Sequence, residues 1–234
     1  MSMTDVTVSY GATLAIEHAT FTVPVGSVMG LIGPNGAGKS TIIKAGLELM
    51  DHTGDVRFFG KPLEEVRRKV AYMPQVAAVD WDYPITVEQV VTMGMYTELG
   101  WLRRANAAHR SRVMEVLDRV GIADLAKRQI SELSGGQRRR VFVARILVQA
   151  PELYLLDEPF AGVDAASERV IRGVLHELRD QGATIVIVHH DLSTVAELCD
   201  HVTILNREII ATGPTSEAFT RENITKAFGL GLLE

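Results

Sequence analysis

The stretch Gly33-Pro34-Asn35-Gly36-Ala37-Gly38-Lys39-Ser40 constrains this chain more than any other. It reads as a glycine, four residues, then Gly-Lys-Ser, set between an apolar strand-like run at 28–32 and a helix-forming stretch. The glycines let backbone N–H groups converge on phosphate oxygens without Cβ obstruction, and a helix opening at the loop adds the positive end of its dipole. In such a loop Lys39 reaches the β- and γ-phosphates of a nucleotide, Ser40 binds Mg²⁺ and Thr41 adds a hydroxyl near the α-phosphate. A phosphate loop with a strand behind it and a helix in front requires an α/β fold.

Composition agrees with a globular fold. The 234 residues are 47% hydrophobic and 23% charged, enough to bury a sizeable core and far from disordered, collagenous or disulfide-framework chains. The apolar runs at 143–148 and 185–188 stop well short of the roughly 18 residues a membrane helix needs, so no span is expected. Residues 1–10 carry Asp5, no basic cluster and no small-residue cleavage site, which argues against a signal peptide. Cys199, the single cysteine, cannot form an internal disulfide and fits a reducing compartment. The net charge of −5 hides an asymmetry, because residues 101–150 hold 11 Lys and Arg against 4 Asp and Glu. One basic block in an acidic protein is as compatible with a solvated helical face as with a functional surface.

Hydrophobic periodicity changes twice along the chain. Short strands are expected at 6–10, 21–23, 28–32 and 56–59, with turns at 24–26 and 53–55. From about 75 to 149 the pattern is helical: Val113, Val116, Leu117 and Val120 recur on one face, and Val87, Val90 and Val91 mark a shorter helix. After Pro151, apolar strands at 153–156 and 184–188 flank a helix at about 166–180 whose buried face is Val170, Ile171, Val174, Leu175 and Leu178. Strands with little polar alternation imply a sheet covered on both sides. The expected architecture is a mixed-to-parallel sheet interrupted by a helical insert.

The run Leu153-Tyr154-Leu155-Leu156-Asp157-Glu158-Pro159 is an apolar strand ending in two acids, delivered to the carboxyl edge of the sheet where ligands of open α/β sheets collect. There Asp157 can join the Mg²⁺ shell, and Glu158, one residue further out, can polarise an attacking water as general base.

Leu133-Ser134-Gly135-Gly136-Gln137, upstream of that strand, resembles the signature of ATP-binding cassette (ABC) ATPases. Physically it is a second anion site, a serine hydroxyl and glycine N–H groups at the start of a helix. The resemblance covers essentially the whole chain and implies a phosphate-loop NTPase core, a mixed-to-parallel sheet with an antiparallel β part, carrying an inserted α-helical subdomain. It implies one nucleotide-binding domain over 1–234, with a core at about 1–76 and 150–234 and a helical subdomain at about 77–149. The cofactors it implies are ATP and Mg²⁺, bound by Gly33 to Thr41. In the family, the segment Ser134, Gly135, Gly136 and Gln137 closes on the γ-phosphate held by a second copy, forming an ATP-sandwich dimer. Tyr10 matches the aromatic that stacks on adenine, Gln75 the glutamine that senses Mg²⁺ and the attacking water, and Asp164 the loop that communicates across the dimer. His190 matches the switch histidine that contacts the γ-phosphate, with His189 the competing assignment. Arg138 to Arg140 are expected where a partner's phosphates approach, and Arg103 and Arg104 nearer a membrane partner.

The segment Val79-Asp80-Trp81-Asp82-Tyr83-Pro84-Ile85-Thr86-Val87 is similar to a stretch of the ATPase subunits of manganese, zinc and iron importers, as are Met93-Gly94-Met95-Tyr96 and Val188-His189-His190-Asp191-Leu192. This implies a peripheral subunit at the cytoplasmic face of the membrane, docked on integral permease subunits through Trp81 and Tyr83 and served indirectly by an extracytoplasmic metal-binding protein. ATPases of siderophore or haem importers and non-transport ABC proteins, such as iron–sulfur assembly factors, share most of these motifs and remain alternatives. A nucleic-acid partner, supported only by the arginines, is not expected.

Overall fold

The computed structural model describes residues 1–75, 83–100, 104–189 and 191–229. The chain opens with β1 (Ser2–Tyr10), β2 (Thr13–Thr22) and β3 (Val28–Ile32), turns through the glycine loop into α1 (Lys39–Gly46), and continues with β4 (Thr53–Arg57), α2 (Leu63–Val66) and β5 (Val70–Met73). The helices α3 (Val87–Met93), α4 (Tyr96–Leu99), α5 (Ala107–Arg119) and α6 (Gly135–Leu147) follow. The chain then returns to the sheet with β6 (Leu153–Asp157), α7 (Ala165–Asp180), β7 (Thr184–His189), α8 (Val195–Leu198), β8 (His201–Asn206) and β9 (Glu208–Pro214), and ends in α9 (Thr215–Ala218) and α10 (Arg221–Phe228).

The main sheet has the order β5-β6-β7-β3-β8-β9, parallel except for the antiparallel β8–β9 pair, and a separate antiparallel sheet has the order β2-β1-β4. Strand pleating sorts the apolar residues onto two faces. Met29, Leu31, Leu153, Leu155, Val186 and Val188 pack with α1 and the antiparallel sheet, whereas Val28, Ile32, Tyr154, Leu156, Ile185 and Ile187 pack with the helices on the opposite side. The unbroken apolar strands are thus covered on both faces, as their composition requires.

Two strand expectations change. β2 is far longer than 21–23, because its polar residues lie on the open face of the antiparallel sheet and conceal it in sequence. Residues 53–55 are not a turn but the start of β4, where Gly54 (φ +89°) lies against a break in the β1–β4 register, and a Cβ there would collide with the Asp5 carbonyl oxygen. Helix α7 buries Ile171, Val174, Leu175 and Leu178 as periodicity indicates, with Val170 only half-buried.

The basic block is largely internal wiring. Arg112 donates to the Val148 carbonyl just beyond α6, and Arg140 donates to Val120 and Gly121 at the end of α5 (3.3 and 3.0 Å). Helix ends leave carbonyls without intrahelical partners, and guanidinium groups satisfy them here. Arg138 holds the Ile130 and Ser131 carbonyls (3.2 and 2.8 Å), and the buried Arg139 holds that of Ala161 (3.0 Å). Arg138 to Arg140, expected where a partner's phosphates approach, all donate to carbonyls of their own chain. Arg103 lies outside the described residues.

Candidate functional site

Strand register brings the chemistry to one edge. Ile32 is paired with His189, Val188 with Asp157, and Met73 with Leu156, so the chain leaves β3, β7, β6 and β5 side by side at their carboxyl ends. After β3 the loop bends through Gly36 (φ +81°) and Gly38 (φ +96°), backbone positions that side chains rarely adopt. Gly33 and Gly38 are also tightly enclosed, since a Cβ would meet the Leu205 carbonyl oxygen at the first and the Ile16 side chain at the second. The loop is thus held between β8 and β2.

Lys39 opens α1 and is buried, its ammonium donating to the Gly33 and Pro34 carbonyls (2.7 and 2.8 Å). Burial lowers its pKa, opposed by the nearby Glu158 and Asp157 carboxylates. The Ser40 hydroxyl donates to Oδ1 of Asp157 at 2.8 Å. Asp157 is fully buried, and its Oδ2 has no hydrogen-bond partner. Desolvation raises its pKa above the usual 3.8, partly offset by the Ser40 hydroxyl. A hydroxyl and a buried carboxylate with a free oxygen are hard donors that suit Mg²⁺.

Glu158 leaves β6 with φ +53°, a left-handed conformation costing an Asp or Glu on the order of 1 kcal/mol. That turn sends its carboxylate sideways to Gln75, whose Nε2 donates to Oε2 at 2.9 Å. Gln75 follows β5, the neighbour of β6, so sheet order alone makes the pair. Tyr10, at the end of β1, is 54% exposed with its hydroxyl 3.3 Å from Thr41 Oγ1, and it lines the same cleft as Asn35 to Thr41 and Glu158.

Ser134, Gly135, Gly136 and Gln137 stand apart from that cleft. Ser134 caps α6 reciprocally with Gln137: its hydroxyl accepts from the Gln137 N–H (3.3 Å), and Gln137 Oε1 accepts from the Ser134 N–H (2.9 Å). Ser134 and Gly135 are exposed, while Gly136 is pressed against Asp164, which caps α7 through Ser167 (2.8 Å to both N–H and hydroxyl). These bonds hold the Asp164 carboxyl below the usual range. His189 is buried, its Nε2 2.5 Å from Thr194 Oγ1 and its ring edge-on to Phe160. His190 and Trp81 lie outside the described residues.

The family model described as ABC transporter matches residues 16–161. The chain belongs to the ABC transporter family. It is 48% identical over 226 residues to the zinc transport system ATP-binding protein TroB of Treponema pallidum, covering 96% of this chain and 85% of the relative. It is 46% identical to the manganese transport system ATP-binding protein MntB of Halalkalibacterium halodurans, covering 96% and 90%. A solved ATP-binding subunit of an ABC transporter superposes with a TM-score of 0.79 at 27% identity, covering 92% of this chain and 90% of that one. This ABC protein is an ATP-binding ATPase of α/β architecture, and among its described residues no helix is long and apolar enough to cross a membrane.

Two residues at this ABC site were not singled out for it by sequence reasoning. Arg207 enters the cleft from the β8–β9 hairpin, whose strands were not anticipated. Arg139 ties α6 to the segment after Glu158, and only its place in the arginine run marks it.

Proposed function

We propose that the chain is the ATP-hydrolysing subunit of an importer that takes up a divalent metal cation, manganese first and zinc or iron next, through separate permease subunits. The carrying observation is the juxtaposition of the phosphate loop with Ser40–Asp157 and Gln75–Glu158 in one cleft; the cargo follows the relatives named for manganese and zinc transport. In this reading Lys39 and the loop N–H groups hold the β- and γ-phosphates, Tyr10 stacks on adenine, and Glu158, oriented by Gln75, takes a proton from the attacking water. Ser40, Asp157 and Gln75 would hold Mg²⁺, which would supply charge neutralisation to the phosphates. His190 contacts the γ-phosphate. A second copy supplies Ser134 to Gln137 from across an ATP-sandwich dimer, which accounts for a capped helix N-terminus left exposed away from its own cleft. The boundary between a core and a helical subdomain near residues 76 and 150 belongs to the same reading, as does a peripheral position on the cytoplasmic face served indirectly by an extracytoplasmic metal-binding protein.

The groove between the sheet core and the inserted helices suits the permease. It is lined by Leu49, Tyr72, Tyr96, Phe142 and Arg145, with Leu49 59% and Tyr96 66% exposed. Tyr83, 60% exposed, supports the role expected of the segment it belongs to.

Glu158→Gln tests the reading. Phosphate release should fall at least about 100-fold, the usual contribution of a general base, while ATP binding persists and an ATP-bound dimer accumulates. Cells lacking the protein should be depleted of manganese. Normal release by the variant, together with unchanged cellular metal, would sink the proposal.

A further inference from the structure

Arg207 is the one residue between β8 and β9, whose last pair is Asn206 with Glu208. Its backbone is left-handed (φ +64°), a conformation that Gly or Asn adopts with less strain than Arg. The hairpin tip is fixed at several points. The Arg207 N–H donates to the Ala37 carbonyl in the middle of the phosphate loop (3.0 Å), and the Glu17 N–H donates to the Arg207 carbonyl (2.9 Å). Two positions earlier, the Leu205 carbonyl stands against Gly33 so closely that a Cβ would not fit. The backbone therefore holds Arg207 in one place relative to the loop, and the residue is exposed and lines the cleft with Tyr10, Asn35 and Ser40. Among the described residues no hydrogen bond or ion pair engages its guanidinium, in contrast to Arg112, Arg138, Arg139 and Arg140.

A strained backbone, a rigid mount and an unengaged fork of donors on a residue lining an anion cleft form a consistent arrangement. Local strain persists where the surroundings over-determine it, and it runs from observation to function. Guanidinium is the side chain best matched to phosphate oxygens, by charge and by planar donor geometry. We propose that Arg207 binds the phosphate chain of the nucleotide, adding a cationic contact from the β8–β9 hairpin to those of the phosphate loop. The inference rests on the ATP-binding reading above. It assigns to the hairpin a direct role in nucleotide affinity.

The test is equilibrium titration of the full chain with ATP at several salt concentrations. Arg207→Asn suits the left-handed backbone and removes the charge; it should bind ATP about tenfold more weakly, the scale of one charge-assisted hydrogen bond, and show a shallower salt dependence. Arg207→Lys keeps a cation and should recover most of the loss. Arg207→Gly, which also accepts the backbone, should match Asn and separates loss of the side chain from local unfolding. ATP binding by Asn and Gly equal to that of the parent chain would overturn the contact while leaving the ATPase reading intact, and a Lys variant as weak as Asn would overturn it as a charge interaction. A parent chain that fails to bind ATP would overturn both readings.

Discussion

Asp157 shows how one residue can be held against its own stability. Its carboxylate is fully buried at the end of β6 with one oxygen bonded to Ser40 and the other to nothing, and burial lifts its pKa above 3.8. The folded chain therefore holds this proton more tightly than the unfolded chain does. That contribution to stability is complete below 3.8 and disappears as pH rises through the higher folded value. Above that folded value and without divalent cations the ionised group is a liability, and Asp157→Asn, which keeps an acceptor for Ser40, should melt higher. Each kcal/mol relieved corresponds to about 2–4 °C in a chain of this size. The gain should be largest at pH 7 and should vanish near pH 3.8, read by thermal melting in EDTA. A variant that melts lower than its parent at pH 7 would show that the buried carboxylate is not under strain. Glu158, with its left-handed backbone, departs from local preference in the same place; such departures gather where function overrides folding preference.

Among the elements, the contact between the N-termini of α6 and α7 links two segments that sequence reading treats separately. A Cβ on Gly136 would lie 2.5 Å from Asp164 Oδ2 and 2.6 Å from Ser167 Oγ, the two groups that make the α7 cap. Gly136→Ala should therefore push the caps apart, at a cost of about 1–3 kcal/mol for overpacking. The expected result is a lower melting temperature and reduced ATP turnover with unchanged ATP binding to the monomer's own phosphate loop, because residues 33–41 are untouched; unchanged melting and turnover would refute the packing role. Sequence spacing indicated the motif and its helix but not this second reason for its glycine, which depends on a neighbour nearly thirty residues away. The same limit explains the other misses. Strands buried on both faces, such as β3, β6 and β7, announce themselves by composition, and the phosphate loop by its glycines. β2 hides behind polar residues on an open sheet face, and Gly54 reads as a turn until its partner strand is known. For Arg138 to Arg140, sequence gives the charge but not the carbonyls they satisfy.

For the whole molecule, the question is how events at the cleft are transmitted to a docked partner. β5 lines the groove and ends just before Gln75, so two residues of chain join the groove to Gln75 and its bond with Glu158. The Tyr72 hydroxyl in that groove has no hydrogen-bond partner, and burial with the Asp157 charge pushes its pKa up to about 12. It thus remains a neutral donor at any physiological pH. Opposite it, Tyr96 presents a largely exposed ring beside Arg145, whose own pKa burial lowers. A large aromatic beside a half-buried cation, with apolar Leu49 on the rim, has the make-up of an interface hot spot, where truncation costs 2 kcal/mol or more, roughly 30-fold in affinity. Tyr96→Ala should leave the ATPase rate of the isolated chain unchanged, since the ring does not line the nucleotide cleft. Co-purification with the permease subunits should fail, and with it any stimulation of hydrolysis by them. Should the variant co-purify normally, the permease must seat elsewhere, and the groove beside β5 would lose its place in a path from the membrane to Glu158.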